Sequence, residues 1–380
     1  MKSAWSSVLA SFVIVAGCSN GVTGADEDED EDEDEIEGVG VGAIGTAQQA
    51  VSGKSIFKRG TFGGNGRTCL TCHSEETGTF SLSEAQQRFA ADPGDPLFLS
   101  LDSDDATGAS FNRLLDYGTV LVTVPLAPGV VLADDPTATS IRLERSIPST
   151  LDTPALDPVL MWDGRAPTLE AQALGAIRTH AQATETPSAA TLGKLAKYER
   201  TLFSSTKLEQ YANGGPAPTL PLGNTLAEQR GRLFFLDLPF NPPSLHGFCG
   251  SCHSGPVLNT TNQYNPAQPP GLRFSTALVS DMNVRNIPPR TFLFPVPGGT
   301  VPVTTPDPGR ALVTGNIADV NMFKIPSLWN VKNTGPYFHD GSARTLEDVA
   351  DQYQKFTIAI TGLSFTPQEL DDMVAYMKLL

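Results

Sequence analysis

The chain has 380 residues, of which 40% are hydrophobic and 18% charged, proportions typical of a globular protein with about two domains. Its formal net charge of −16 argues against nucleic acid as a partner. Much of that charge lies in one acidic run, Asp26–Glu35 with Glu37; without these 11 carboxylates and Lys2, 31 acids face 25 bases. After the first residues, no apolar run is long enough to span a bilayer.

The N-terminus predicts export. Residues 1–17 carry Lys2, an apolar stretch and then small residues, which is the pattern of a signal peptide. The ending Val15-Ala16-Gly17-Cys18 resembles a bacterial lipobox, which implies cleavage before Cys18 and acylation of its thiol; an ordinary signal peptide with an incidental cysteine is the alternative. Residues 18–50 are then a lipid-anchored acidic linker, kept disordered by its own charge, and the fold is expected to start near Val51.

Two Cys-x-x-Cys-His motifs contain four of the five cysteines: Cys69, Cys72 and His73, then Cys249, Cys252 and His253. This motif is typical of covalent c-type haem attachment, in which the thiols bond the porphyrin edge and the histidine ligates the iron. A zinc ribbon would place its cysteine pairs roughly 15–20 residues apart, and a thioredoxin-like pair would follow a strand. Neither fits, so two covalently bound c-type haems are predicted, in agreement with export.

A Gly-aromatic segment precedes each haem motif, at residues 53–57 and 231–235, and forms a weak internal repeat. The break between the halves is expected in the Gly/Pro-rich stretch 213–224, giving an N-terminal haem domain over 51–220 and a C-terminal one over 221–380. The stretch 264–308 is rich in proline and predicts long loops with a short hairpin.

Helical signals dominate elsewhere. Apolar residues at helical spacing predict a helix within 187–203. Thr366, with Pro367 and Glu369, is the start of a last helix with a capping box, and Thr345 caps the helix before it. The fold class expected is mainly α, with two cytochrome c-like haem domains, long Pro/Gly-rich loops and little β.

Three features together resemble the bacterial di-haem cytochrome c peroxidase superfamily, which includes the MauG-type enzymes. They are the two haem motifs about 180 residues apart, the segment 161–173 with its Trp-Asp-Gly-Arg, and the segment 323–341 with its Tyr-Phe-His-Asp-Gly. The resemblance implies that hydrogen peroxide binds the first haem, on His73. The second haem, on His253, would receive electrons from a small cytochrome c or cupredoxin, and Trp162 would lie between the two.

The resemblance also sets expectations for the remaining iron ligands. No histidine occurs between His73 and His180, so the first haem is expected to keep an open position. Tyr353, fourteen residues after His339, aligns with the second haem's ligand in MauG-type enzymes, although a core tyrosine would show the same helical pattern. The competing ligands for the second haem are methionines: Met282, Met322, Met373 and Met377.

The chain departs from the family pattern at the first haem. The distal glutamate is replaced by Gln182, and an amide cannot relay the proton that peroxide cleavage needs. Gln172 matches the pocket glutamine. His180, whose ordinary pKa is near neutrality, is the candidate replacement acid–base group, a helix-terminal histidine being the alternative; Glu185 is next.

The resemblance further implies a calcium site from the carbonyls of Thr334 and Pro336, with Ser146 in place of the usual asparagine. The function expected is a peroxidase. A MauG-type oxidase of a protein or organic substrate and a non-enzymatic di-haem electron carrier are the alternatives. The predicted location is the periplasmic side of a Gram-negative envelope, on the outer membrane through lipidated Cys18, and a homodimer is left open.

Overall fold

The computed structural model describes residues 52–239 and 245–380. The predicted signal peptide, the lipidated Cys18 and the acidic linker lie outside these residues. Residues 50–380 cluster into one compact unit. Among the described residues, every helix is too short or too polar to cross a membrane.

The described residues form twelve α-helices and seven short strands. The helices are α1 Gly53–Arg59, α2 Leu82–Ala91, α3 Asn112–Tyr117, α4 Thr153–Leu156, α5 Leu169–Thr179, α6 Ala189–Glu199, α7 Thr206–Ala212, α8 Leu226–Phe235, α9 Val279–Met282, α10 Ala311–Thr314, α11 Leu346–Thr361 and α12 Pro367–Met377. The strands are β1 Thr119–Pro125, β2 Val131–Leu132, β3 Ser140–Ser146, β4 Phe274–Ser275, β5 Arg290–Val296, β6 Gly299–Thr305 and β7 Phe323–Lys324.

Local capping rules explain where the main helices begin. Thr345 and Thr366 each cap a helix, as predicted. The capping box predicted at Thr366 is present at both, with Asp348 and Glu369 as the returning carboxylates. Helix α6 lies inside the predicted span 187–203 and buries the apolar residues of one face. These helices therefore follow from neighbouring residues alone.

Three small antiparallel sheets connect the helices. Strands β5 and β6 form the hairpin predicted within 264–308, and its turn contains Gly298 at a φ of +86°, which glycine adopts without strain. Strand β2 pairs with β5, so a strand from the first half of the chain completes a sheet in the second half. Strands β1 and β3 pair along their whole length.

Glycine lies at the crossing point of two helix pairs. In the pair of α1 with α6, a Cβ at Gly53 would overlap the carbonyl of Lys194 and the side chain of Tyr198. In the pair of α8 with α12, a Cβ at Gly231 would overlap the carbonyl of Asp372 and the side chain of Tyr376. Both glycines belong to the repeat seen in the sequence, which thus marks two closely packed helix crossings.

Three of the buried apolar clusters organise the structure. One packs α1, α5 and α6 behind Cys69. A second packs α8, α11 and α12 behind Cys249. The third is built on β1, β3 and β5 and includes Phe80, Phe292 and Phe294. Each haem motif therefore lies against one helix pair with its own core.

Candidate haem sites

The first motif folds as a short 3₁₀ turn, Cys69–Thr71, followed by His73. The backbone N–H of His73 donates to the Cys69 carbonyl at 3.0 Å. Its ring Nδ1 lies 2.6 Å from the carbonyl oxygen of Gly78. Because a carbonyl only accepts, Nδ1 carries the proton and Nε2 keeps a lone pair for a metal ion.

The second motif repeats this geometry. Cys249–Ser251 is again a 3₁₀ turn, and the N–H of His253 donates to the Cys249 carbonyl at 2.9 Å. The His253 Nδ1 lies 2.9 Å from the carbonyl oxygen of Leu258. Leu258 follows His253 by five residues, the same spacing as between His73 and Gly78. Both histidines therefore have the tautomer and fixed ring that an iron ligand needs.

The second motif opens onto a cavity of about 680 Å³, lined mainly by apolar side chains. This volume is within the usual range for a cofactor pocket. Cys249, Cys252 and His253 all line it, and both cysteines are free thiols. Burial raises the pKa of the Cys249 thiol to about 12, so the thiol is protonated in this apolar setting. Thiols, histidine and cavity fit a covalently attached haem.

A second internal repeat lies beyond the haem motifs. Residues 163–170 read Asp-Gly-Arg-Ala-Pro-Thr-Leu-Glu, and residues 340–347 read Asp-Gly-Ser-Ala-Arg-Thr-Leu-Glu. Each copy is closed by one antiparallel bridge, 160 to 166 and 337 to 343. Each has positive φ at the matching positions, Met161 and Gly164 in one copy, Phe338 and Gly341 in the other. This repeat was not predicted from the sequence, although its eight residues can be read there.

The repeat places Trp162 and His339 at equivalent positions and continues into α5 and α11. The hydroxyls of Thr168 and Thr345 cap these helices by accepting the N–H three residues on, each at 3.1 Å. Counting from the caps, Tyr353 of α11 corresponds to Ala176 of α5. The two halves therefore carry a phenol and a methyl group at the same helix position.

Tyr353 lines the cavity of the second motif. Its ring packs against Phe338 and Phe356, and its hydroxyl has no hydrogen bond within residues 52–239 and 245–380. Burial, and to a lesser extent the two cysteines of the motif, raises the pKa of the phenol well above its usual range. This hydroxyl is available to a ligand in the cavity.

The methionines differ in position. Met322, Met373 and Met377 also line the cavity, but Met282 is not among the lining residues. Met373 and Met377 are buried in the core formed by α8, α11 and α12. The sulfur of Met282 lies 3.4 Å from the amide Nε2 of Gln352.

Ser146 connects the two equivalent positions of the second repeat. The Trp162 indole donates to the Ser146 carbonyl at 2.9 Å, and the Ser146 N–H donates to the His339 carbonyl at 2.7 Å. The His339 ring stacks on Phe323 with centroids 3.6 Å apart. Trp162 and Phe323 both line the cavity of the second motif. The sequence analysis considered Ser146 only as a cation ligand.

A buried ion cluster holds the Trp162 loop. Arg145, only 1% exposed, donates to Asp163 at 2.5 Å and makes two bonds to Asp307 at 2.7 and 2.9 Å. Arg165 also donates to Asp163. Although burial alone would raise the pKa of Asp163, the charges of Arg145 and Arg165 hold it below its usual value. No local sequence pattern pairs Arg145 with residues so distant in the chain.

The predicted distal residues lie around the end of α5. Asn65 joins two of them, donating to the His180 carbonyl at 2.9 Å and to the Gln182 amide oxygen at 3.2 Å. Gln182 and Glu185 are exposed, and Gln172 is half-buried on α5. The exposed amide of Gln182 is bound to Asn65 and carries no acid–base group.

His180 differs from the expectation of a pKa near neutrality. Burial lowers its pKa to about 4, against the opposing charge of Asp102. Arg67, Arg165 and His73 lower it further. His180 is therefore neutral at pH 7 and accepts rather than donates a proton there.

The residues of the implied calcium site, Ser146, Thr334 and Pro336, all line the cavity. The Ser146 hydroxyl donates to the Phe338 carbonyl at 2.7 Å. Among the described residues there is no group of three or more carboxylates, histidines or cysteines arranged to hold a metal ion. A cation at this position would depend on carbonyl oxygens.

Comparison with known proteins supports the haem assignment. The chain is 43% identical over 75 residues to the cytochrome c551 peroxidase of Nitrosomonas europaea, which is 20% of this chain and 22% of that protein. It is 26% identical over 237 residues to the cytochrome c peroxidase of Escherichia coli K12, 58% of this chain and 44% of that protein. No family model matches the chain.

Among solved structures, a MauG-like protein associated with microbial copper homeostasis is similar over 86% of both chains, with 21% identity and a TM-score of 0.48. These sequence alignments span less than half the length of the curated relatives, 22% of the Nitrosomonas europaea protein and 44% of the Escherichia coli protein. The relationship to the bacterial cytochrome c peroxidases therefore rests on those aligned segments and on the haem motifs.

Proposed function

We propose that this relative of the bacterial cytochrome c peroxidases reduces hydrogen peroxide at a haem on Cys69, Cys72 and His73. A second haem, on Cys249, Cys252 and His253, supplies the electrons, which come from a small cytochrome c or cupredoxin. Haem iron contributes one-electron chemistry and a coordination position for peroxide. The protein's contribution is to ligate each haem and to leave one of them open.

One observation carries this proposal: the pair Tyr353 and Ala176 at equivalent positions of α11 and α5. In the second half a phenol lines the cavity and is free to ligate iron. In the first half a methyl group takes its place, and a methyl group cannot ligate. A haem on the first motif would therefore lack a ligand from this helix position, whereas a haem on the second motif could be ligated by Tyr353.

Other residues support a division of labour between the haems. Trp162 borders the second cavity, is fixed by its bond to the Ser146 carbonyl, and is held by the ion cluster of Arg145. It is the candidate for passing electrons between the sites. On the first side, neutral His180 would accept a proton from peroxide, and Gln172 would donate a hydrogen bond to it.

A steady-state assay with hydrogen peroxide and a reduced small cytochrome tests the proposal. We expect saturable turnover, and addition of peroxide or cyanide to the oxidised protein should shift the absorption of one haem only. Turnover no faster than that of free haem, with both haems insensitive to cyanide, would instead indicate an electron carrier.

A MauG-type oxidase is the second candidate, favoured by Tyr353. A tyrosine ligand lowers the potential of the second haem and suits the retention of oxidising equivalents. The variants Tyr353→Phe and Tyr353→Met separate the two functions. If Tyr353 is the ligand, both variants alter the spectrum of the second haem. Tyr353→Met should in addition favour simple electron delivery over the oxidase function. An unchanged spectrum in both would remove the basis for the oxidase.

The location remains part of the same proposal. Relatives of this chain are named as bacterial cytochrome c peroxidases, and haem attachment to thiols suits the periplasmic side of the envelope. Lipidation at Cys18 would hold the protein at the outer membrane. Mass spectrometry of the protein from a membrane fraction tests for acylation at Cys18. In a second test, Cys18→Ser should release the protein from the membrane in soluble form.

A further inference from the structure

Helix α6 ends in a carboxylate that the proposed reaction does not use. Glu199 is 4% exposed, and its Oε2 is buried without a hydrogen-bond partner. No ion pair or side-chain hydrogen bond joins this carboxylate to another described residue. An unpaired buried carboxylate is costly to a fold, so a partner is expected beyond the described residues of the chain.

The helix crossings identify what Glu199 faces. Gly53 meets Lys194 and Tyr198 of α6, as Gly231 meets Asp372 and Tyr376 of α12. In this register, Glu199 follows Tyr198 as Met377 follows Tyr376. Met377 lines the cavity of the second haem motif. Glu199 therefore corresponds to a residue that faces a haem, and its own haem is the first.

The electrostatics of Cys69 agree with this position. Burial raises the pKa of the Cys69 thiol to about 12, and the largest contribution from a charged group is that of Glu199. In the proposed haem site, Cys69 would bond the porphyrin edge and would not ligate the iron. The electrostatic effect of Glu199 on this thiol agrees with the position inferred from the helix crossings.

The neighbours of Glu199 leave its charge largely uncompensated. Burial raises the pKa of its carboxyl to about 8, and Glu170 of α5 raises it further, whereas Arg200 lowers it. Helices α1, α4 and α5 pack on α6. The other charged groups on or beside these helices are the cations Lys54, Lys58, Arg59, Arg178, Lys194 and Lys197 and the acids Asp152 and Asp157. Lys58 pairs with Glu75, and Asp157 pairs with Arg273 and Lys324.

We propose that Glu199 is the proton-binding partner of the first haem and takes up one proton from water when that haem accepts one electron. The inference rests on the proposed function only in requiring a haem at the first motif. An oxidised haem centre is more positive and favours the carboxylate, whereas a reduced one favours the carboxylic acid. The electron comes through the second haem, or in the test from a one-electron chemical mediator. Electron transfer into the first haem is thereby coupled to proton uptake.

Redox titration of both haems over a pH range that brackets about 8 tests the inference. In the natural protein, the potential of the first haem should fall as the pH rises through this range, because the carboxylate stabilises the oxidised state. In Glu199→Gln the potential should lose this dependence. It should match the natural value at acid pH and lie above it at alkaline pH.

Three controls keep the result specific. The second haem is an internal control, since the residue equivalent to Glu199 on that side is Met377, which cannot titrate. The potential of the second haem should therefore be unaffected by Glu199→Gln. Glu209→Gln removes an exposed carboxylate of the neighbouring helix α7 and should leave both haems unchanged. Glu199→Asp keeps a carboxyl group and should keep the pH dependence.

The infrared difference spectrum between reduced and oxidised protein gives an independent readout. A band from a carboxylic acid should appear on reduction and be missing in Glu199→Gln. If Glu199→Gln binds two haems by pyridine haemochrome yet keeps both the pH dependence and the band, the inference is wrong and the proposed function stands. A natural protein without haem on the first motif would overturn both.

Discussion

The two halves of the chain share a scaffold and differ at a few positions close to the candidate haem sites. Each has a helix crossing at a glycine, a Cys-x-x-Cys-His turn with the same histidine hydrogen bond, and an Asp-Gly turn leading to a capped helix. The second half has Tyr353 and Met377 where the first has Ala176 and Glu199. If each half holds a haem as proposed, the shared scaffold would serve two chemical roles through two exchanges, Tyr353 for Ala176 and Met377 for Glu199.

The largest expected effect comes from removing one haem at a time. Cys69→Ser with Cys72→Ser, and separately Cys249→Ser with Cys252→Ser, should each leave one haem per chain in a pyridine haemochrome assay. If the roles differ as proposed, the first double variant no longer reacts with peroxide. The second still binds peroxide but does not turn over with a protein donor. Equal behaviour of the two would contradict the division of labour.

The next largest effect is expected from exchanging Ala176, the residue equivalent to Tyr353. Ala176→Met gives the first haem a ligand like those available to the second, and should slow its reaction with peroxide roughly tenfold or more, about 1.4 kcal/mol in the barrier. Ala176→Leu is the matched control, because leucine has similar bulk and no ligand atom. Stopped-flow mixing with peroxide measures both rates. A similar loss in Leu and Met would indicate crowding instead of ligation.

The helix crossings give a smaller effect on stability. Gly53→Ala and Gly231→Ala force a methyl group into a facing carbonyl, and each should destabilise the protein by about 1–3 kcal/mol. Gly175→Ala and Gly193→Ala are controls on α5 and α6, where a Cβ meets nothing within 4 Å. These should stabilise by roughly 0.5–1 kcal/mol. Urea unfolding followed by circular dichroism measures all four, and a neutral Gly231→Ala would refute the packed crossing.

The smallest difference is expected at the two helix caps. Thr168→Ala and Thr345→Ala should each cost about 1 kcal/mol in the free energy of unfolding. Thr345 should cost more, because Asp348 returns a bond to its N–H, whereas the matching residue of α5 is Ala171. Urea unfolding of both variants checks the order. An equal cost would mean that the returning carboxylate contributes nothing measurable.

Sequence alone predicted the features that depend on neighbouring residues. The two haem turns, the caps at Thr345 and Thr366, helix α6 and the hairpin over 264–308 all follow from local patterns. The correspondence of Ala176 with Tyr353 can also be read from the sequence, because both follow a repeated Asp-Gly turn. It predicts equivalent helix positions only once each turn is known to lead into a capped helix.

Other features depend on residues that meet across the chain. Arg145 and Asp307 are 162 positions apart, and no pattern at either position predicts their pairing. The bonds of Ser146 to Trp162 and His339 use backbone atoms, which carry no sequence signal. The pKa of His180 depends on burial and on the distant Asp102 and Arg67, so an expectation from residue type alone was too high.

The core built on β1, β3 and β5 has a consequence for biosynthesis. It begins at Phe80 but is completed only by Phe292 and Phe294, and by Ala311 and Leu312. A chain that emerges N-terminus first therefore holds an unfinished core until β5 follows, and such high contact order slows folding. Chains truncated before β5 therefore expose the apolar surface of this core and are targets for proteolysis and aggregation.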